Sequence, residues 1–357
     1  TYINAYMANA LDFDDTYENF AHPGATVIPP ALALAEKEGC TGQELLTAII
    51  LGYEVSLRIG HYMMPSPERR DHVWGFATWQ TFGSVVASAK LLGLNVDQIC
   101  DALGLAGMSA PVPSIRKLGL DINDRPFTWL KNNYGWAAMA GVIAAELASR
   151  DFFGNRSILD GDSGFWAMAG SDRCDYSFLN KSLGTKYLCL ETSFKPYASC
   201  RWTHPALDAV KQLNQKNSIS IDSIKEIKVY TFGEAQRSLS EPHPKNIIDA
   251  QFSLPYLIAL ELTDRSSANG LSESDLFDSE VLRLAKKVSI EKDNDFDRYF
   301  KENNKMQAKV IIMTNQNKSL AEVVNSPTGS TNKPIKENNI SKKFTSLVTS
   351  TYDYYMV

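Results

Sequence analysis

Residues 134–150, YGWAAMAGVIAAELASR, carry alanine or glycine at positions 135, 137, 138, 140, 141, 144, 145 and 148. Their spacing predicts a helix over Tyr134–Arg150 with small residues on nearly every face. Such a helix gains little from its own side chains, so it must sit among close-packed neighbours in a large helical core. The flanking sequence supplies those neighbours. Thr41-Gly-Gln-Glu44 has the form of a capping box ahead of the apolar run Leu45–Ile59. Ala77–Leu92 reads as a helix closed by Gly93, and Val96–Gly107 as another. After about residue 185 the pattern changes. Ser223–Thr231 (SIKEIKVYT) alternates and is β-branched, as a strand with one buried face requires, and Lys287–Ile290 and Ala308–Thr314 (AKVIIMT) are further strands. Helical segments His204–Leu213, Ile248–Glu261 and Ser272–Ala285 lie among them. The tail Asn325–Asn339 is rich in Pro, Gly, Asn and Ser and reads as a loop, followed by a helix over Ile340–Val348. The fold class is mainly α: a large all-helical domain plus a smaller α+β domain. A length of 357 residues fits two domains.

Composition excludes several classes of function. Lys plus Arg number 36 against 41 Asp plus Glu, a net charge of −5. That balance, with no basic cluster interleaved with aromatics, argues against a nucleic-acid partner. The five cysteines (Cys40, Cys100, Cys174, Cys189, Cys200) are odd in number and far apart, and none forms a CxxC. A reduced compartment and a cytoplasmic location are therefore expected. The most apolar stretches, Leu45–Leu57 and Ala137–Ala148, are short for a bilayer and each contains a glutamate, Glu54 or Glu146. A soluble chain without signal peptide or membrane partner is the expectation. GxGxxG, GKS/T, GxSxG and HExxH are all absent, which removes the common nucleotide, serine-hydrolase and zincin readings.

Three segments hold dense polar chemistry. Leu11-Asp-Phe-Asp-Asp-Thr16 with His22-Pro-Gly24 places three aspartates, a threonine and a histidine within a short stretch. It fits a polar loop after a helix, a hard-cation site, or a histidine held by a carboxylate for acid–base work. The EF-hand pattern is excluded, because no glycine occupies the turn and no glutamate closes the loop. Residues 194–205, FKPYASCRWTHP, bring Lys195, Tyr197, Cys200, Arg201 and His204 together before a Pro-started helix. Lys195 and Arg201 can clamp carboxylates, whereas Cys200 reads as a packed thiol. The stretches 71–83 and 125–136 are aromatic-rich entries into helices, with His72, Trp74 and Lys131 as their polar or pocket-lining candidates.

Taken together, these segments resemble the MmgE/PrpD family, which includes 2-methylcitrate dehydratase, cis-aconitate decarboxylase and iminodisuccinate epimerase. The matching stretches are ANALDFDDT with HPG, LLTAIILGYEVSLRIG, TFGSVVASAKLLGL, FKPYASCRWTHPALDA and AQFSLPYLIALEL, in the family's order along almost the whole chain. Compared with the family, the chain is short at both ends, so N-terminal helices and part of a C-terminal one are expected to be lacking. The resemblance implies an all-helical domain (residues 1–186 and 327–357), an α+β lid (187–326), an active site in the cleft between them, and a homodimer. It carries site roles to Asp12, Thr16, His22 and Lys195, and more loosely to Tyr256 and Lys131.

The expected activity is that of a lyase without cofactor or metal, most like 2-methylcitrate dehydratase, removing water from a small tricarboxylic acid. His22, oriented by Asp12, is the expected proton-transfer group, and Lys195 an exposed cleft lysine whose removal leaves the fold intact. Thr16, Lys131, Arg201, Tyr256, His72 and Trp74 are the expected substrate contacts. Cys200 stands where cis-aconitate decarboxylases carry histidine, and Trp74-Gly75 where the family carries His-Pro. Both departures argue against that decarboxylase, and an apolar wall at Trp74 favours a methyl-bearing or smaller acid. The alternatives are an epimerase of a small dicarboxylate and an inactive dimeric scaffold.

Overall fold

The computed structural model describes residues 1–17, 20–70, 72–73, 75–129 and 131–349. The chain divides into two compact units. The first comprises Thr1–Ala10, Asp14–Leu118 and Leu130–Thr192, and the second Leu11–Phe13, Gly119–Trp129 and Ser193–Val357.

Helices build the first unit: α1 (Tyr2–Ala8), α2 (Pro23–Glu38), α3 (Gly42–Tyr62), α4 (Phe76–Leu91), α5 (Val96–Ser109) and α6 (Tyr134–Ala148). The capping box at α3 is formed as expected. Thr41 Oγ1 accepts from the Glu44 amide at 3.3 Å, and Glu44 Oε2 accepts from the Thr41 amide at 2.8 Å. α4 packs on both α3 and α6. Its approach to α3 depends on glycine at both contact points. A Cβ on Gly52 would meet the Gly83 carbonyl at 2.8 Å, and one on Gly83 would meet the Gly52 carbonyl at 2.8 Å. The small residues of α6 are buried, as the sequence predicts. Among the described residues, no helix is long and apolar enough to cross a membrane.

The second unit centres on a mixed sheet of β1 (Ile224–Thr231), β2 (Val288–Lys292), β3 (Ala308–Thr314) and β4 (Ser319–Val324), in spatial order β2-β1-β3-β4. β1 pairs parallel with β2 and antiparallel with β3, aligning Val229 with Ile290 and with Val310. Ile227, Val229, Val310 and Ile312 are fully buried on one face. Helix α7 (His204–Asn217) packs on β3 and β4 and also on α8 (Leu254–Leu262). Further helices are α9 (Ser279–Ala285), α10 (Asn294–Asn303) and α11 (Glu337–Thr349), with shorter ones at Gly233–Leu239 and Ile247–Ala250.

The expected helix Ile248–Glu261 is broken into Ile247–Ala250 and α8. Pro255 cannot donate a backbone hydrogen bond, and Ser253 starts a new helix by accepting from the Tyr256 amide at 3.3 Å. Likewise Ser272–Ala285 divides at Asp278, whose Oδ1 caps α9 through the amides of Glu280 and Val281. The sequence reading missed β4 and α10. The former is a largely exposed edge strand, and the latter is polar along most of its length. Residues 119–129 and the tail group with the second unit, whereas the sequence reading put them with the helical domain. Arg125 ties the first segment there through the Asp249 carboxylate and the Ser238 and Phe252 carbonyls. Lys343 ties the tail, donating to the carbonyls of Phe13 (2.5 Å) and Lys195 (3.1 Å).

Candidate functional site

In the first unit the polar chemistry gathers at the N-terminus of α2. His22 is the residue before that helix and Pro23 its first, a position where the missing N–H costs nothing. His22 Nδ1 lies 3.1 Å from Asp14 Oδ2, and Asp14 Oδ1 accepts from Asn9 Nδ2 at 2.8 Å. A carboxylate at that distance fixes the proton on Nδ1, which leaves Nε2 as the basic nitrogen. The His22 side chain is 12% exposed, so the ring is held yet reachable. Phe76 and Tyr134 place their rings 5.9 and 5.7 Å from it, and Gln80 Oε1 accepts the His22 backbone N–H at 2.6 Å. The orienting carboxylate is thus that of Asp14, where the sequence reading gave this role to Asp12.

Asp15 supports the same turn. Its Oδ1 accepts from the Gly24 amide at 3.0 Å and its Oδ2 from the Tyr53 hydroxyl at 2.9 Å. Gly24 is required here, because a Cβ would lie 2.2 Å from Asp15 Oδ1. Burial, reinforced by the Asp14 charge, pushes the Asp15 carboxyl up to about 6, against the opposing pull of Tyr53, His22 and the Gly24 amide. Thr16 is buried with its hydroxyl unpartnered. Lys131 is 4% exposed in the turn ahead of α6, where Asn132 and Asn133 adopt left-handed backbone conformations. His72 is exposed, its backbone held by the Arg69 carbonyl. Trp74 lies outside the described residues.

In the second unit, Lys195 Nζ donates to Asp12 Oδ1 at 2.8 Å and to the Asp12 carbonyl at 2.9 Å. Their side chains are 0% and 2% exposed. Lys195 is therefore a fully buried ion-pair partner, and the expectation of an exposed cleft lysine is corrected. The backbone around it is pinned by Gly329. The Phe194 amide donates to the Gly329 carbonyl at 3.0 Å, and a Cβ on Gly329 would collide with the Phe194 carbonyl at 1.8 Å.

Arg201 is also buried, and its terminal nitrogens face the protein. Nη1 donates to the Thr328 carbonyl (2.9 Å) and lies 3.0 Å from His204 Nδ1, while Nη2 donates to Ser330 Oγ (2.9 Å). Only Nε is unpartnered. As a carboxylate clamp it is thus largely spent on the tail loop, contrary to the sequence reading. With an arginine as donor, His204 Nδ1 must accept, so its proton sits on Nε2 toward the Ser199 carbonyl. Burial first, then the Arg201 charge, holds this imidazole well below its usual range. Tyr256 is fully buried, with its hydroxyl unpartnered and desolvation pushing its ionisation upward. Cys200 is half-buried and forms no disulfide. A cavity of about 610 Å³ in this unit is lined by Lys211, Lys333, Lys342 and Lys343 against one carboxylate, Asp208. That carboxylate already accepts from Tyr197, Thr328 and Lys333.

Of the expected residues, the structure thus brings Asp12 to Lys195. It leaves Tyr256 and Arg201 in other surroundings within the second unit. Sequence reading missed Gln80, although a glutamine among the apolar and small residues of 76–89 is a visible anomaly. It also missed Asp14 as the partner of His22, because three aspartates in one motif offer no spacing that ranks them.

Comparison with known proteins gives two matches that together span most of the chain. The MmgE/PrpD N-terminal domain matches residues 1–176, and the MmgE/PrpD C-terminal domain matches residues 197–354. The chain is 26% identical to the cis-aconitate decarboxylase of Homo sapiens over 81% of its length, covering 60% of that protein. It is 25% identical to the enzyme of that name from Mus musculus, over 96% of the chain and 70% of the relative. The Aspergillus terreus cis-aconitate decarboxylase is 26% identical over 98% of the chain and 74% of the relative. The chain therefore spans about three-fifths to three-quarters of the length of these relatives.

Proposed function

Because this chain belongs to the MmgE/PrpD family, we propose that it is a lyase that acts without cofactor or metal on a small di- or tricarboxylic acid. The observation that carries this reading is the partly buried Asn9–Asp14–His22 hydrogen-bonded series, which presents His22 Nε2 as a base. A proton on carbon next to a carboxylate is weakly acidic, so its removal needs a held base and cations or donors that spread the developing charge. His22 suits the first role. The lysine-rich cavity of the second unit supports an anionic ligand class, and the relatives named above act on a tricarboxylate by name.

Loss of water is the finer proposal, made on the departures at Cys200 and Trp74. His22 would take the proton from carbon or deliver one to the departing hydroxyl. The same base can move a proton between faces of a carbon, and epimerisation is the second reading. Neither chemistry requires a cation beside His22. A homodimer in solution belongs to the proposal on family likeness. The test is turnover of 2-methylcitrate, citrate, cis-aconitate and iminodisuccinate by the purified protein. Product formation from one of them, lost in His22→Gln, supports the reading, and the identity of the product separates dehydration, decarboxylation and epimerisation.

A further inference from the structure

Gln80 lies one helical turn beyond Phe76 on α4, so both residues face His22. It is fully buried. Its two amide atoms are used unequally: Oε1 accepts the His22 backbone N–H at 2.6 Å, and Nε2 has no partner. The orientation is not interchangeable, because a backbone N–H needs an acceptor and only the oxygen can serve. Nε2 is therefore held one carboxamide width from the His22 backbone. A buried donor left unmade is a standing cost to the fold. The fold itself uses only the oxygen.

We propose that Gln80 is a substrate-orienting residue of this site, its Nε2 donating to a carboxylate oxygen of the bound acid while its Oε1 fixes the backbone of His22. The inference rests on the reading of the protein as an enzyme of small carboxylic acids. One side chain would then set both the position of the base and the position of the substrate relative to it. The ligand atom it selects is an anionic oxygen, since a charged acceptor gives the stronger hydrogen bond to an amide donor.

The experiment is steady-state kinetics of Gln80→Glu and Gln80→Met on the acid that the wild type turns over, with melting temperatures measured alongside. Glutamate keeps an oxygen for the His22 N–H but turns a carboxylate toward the substrate, and KM should rise by about 10-fold or more, with kcat falling less than KM rises. Methionine introduces no buried charge and serves if the glutamate variant does not fold. It should raise KM similarly, with a larger loss of kcat because His22 loses its backbone acceptor. Changed stability or kcat with KM within twofold of wild type in the variants that fold would overturn the role of Gln80 while leaving the enzyme reading intact. Absence of turnover of any of the four acids by the wild type would overturn that reading and the Gln80 inference with it.

Discussion

Replacing Lys195 with methionine should destabilise the second unit strongly. Methionine matches the lysine stem in length but removes the ammonium, and the ammonium serves two acceptors: Asp12 Oδ1 at 2.8 Å and the Asp12 carbonyl at 2.9 Å. Both side chains are out of water, at 0% and 2% exposure. Asp12 would be left as a buried charge without its cation, a change that costs about 3–5 kcal/mol in other proteins. For a unit of this size, that corresponds to a fall in Tm on the order of 6–20 °C. Asp12→Asn strands the lysine instead and should cost a comparable amount. Asparagine tolerates the left-handed backbone of Asp12 (φ 49°), so this variant removes charge without adding strain. The double variant carries no buried charge and should recover most of the loss. Thermal and urea melts of all four proteins, followed by circular dichroism, close the cycle. If each single change costs less than about 1 kcal/mol, as exposed pairs do, the pair is not the buried element described and the reasoning fails.

His22→Gln should lower kcat by about 10²–10⁴-fold with little change in Tm, as removal of a reachable acid–base group would, and steady-state kinetics with a melt checks both. Asp15 gives a pH dependence. Its folded carboxyl is raised to about 6, above its unfolded value, so its stabilising contribution is present at low pH and is lost as pH rises through about 6. Relative to Asp15→Asn, the wild type should therefore lose stability between about pH 4 and pH 6.5 and change little above that, and parallel stability profiles across this range would contradict this. Gly24→Ala forces a methyl into the Asp15 carboxylate and should cost about 1–3 kcal/mol, read as a Tm drop that Asp15→Ala partly reverses. Treatment with a chelator should leave turnover unchanged, and activity that falls and returns with added metal would count against the proposed chemistry.

Much of the helical unit was legible because its signals are local. The small-residue face of α6 and the Thr41–Glu44 box each describe their own surroundings. Breaks in the second unit were less visible. Ser253 and Asp278 look like ordinary helix residues until their side chains are seen capping a new start. The site divides in the same way. Residue types in the first motif announce acid–base chemistry, but the choice between Asp12 and Asp14 depends on which carboxylate the turn points at His22. Nor can burial of Lys195 be read from its sequence neighbours. Gly329 and Lys343, more than 130 positions away, are what fix that segment.

The most direct test of the account is to follow each of the four acids with the purified protein in deuterated water by proton NMR. The expected result is conversion of one acid with deuterium entering the carbon next to a carboxylate in acid recovered before completion, and loss of both signals in His22→Gln and in Asp14→Leu. Turnover that persists within a few-fold in both variants would contradict the assignment of His22 as the base held by Asp14.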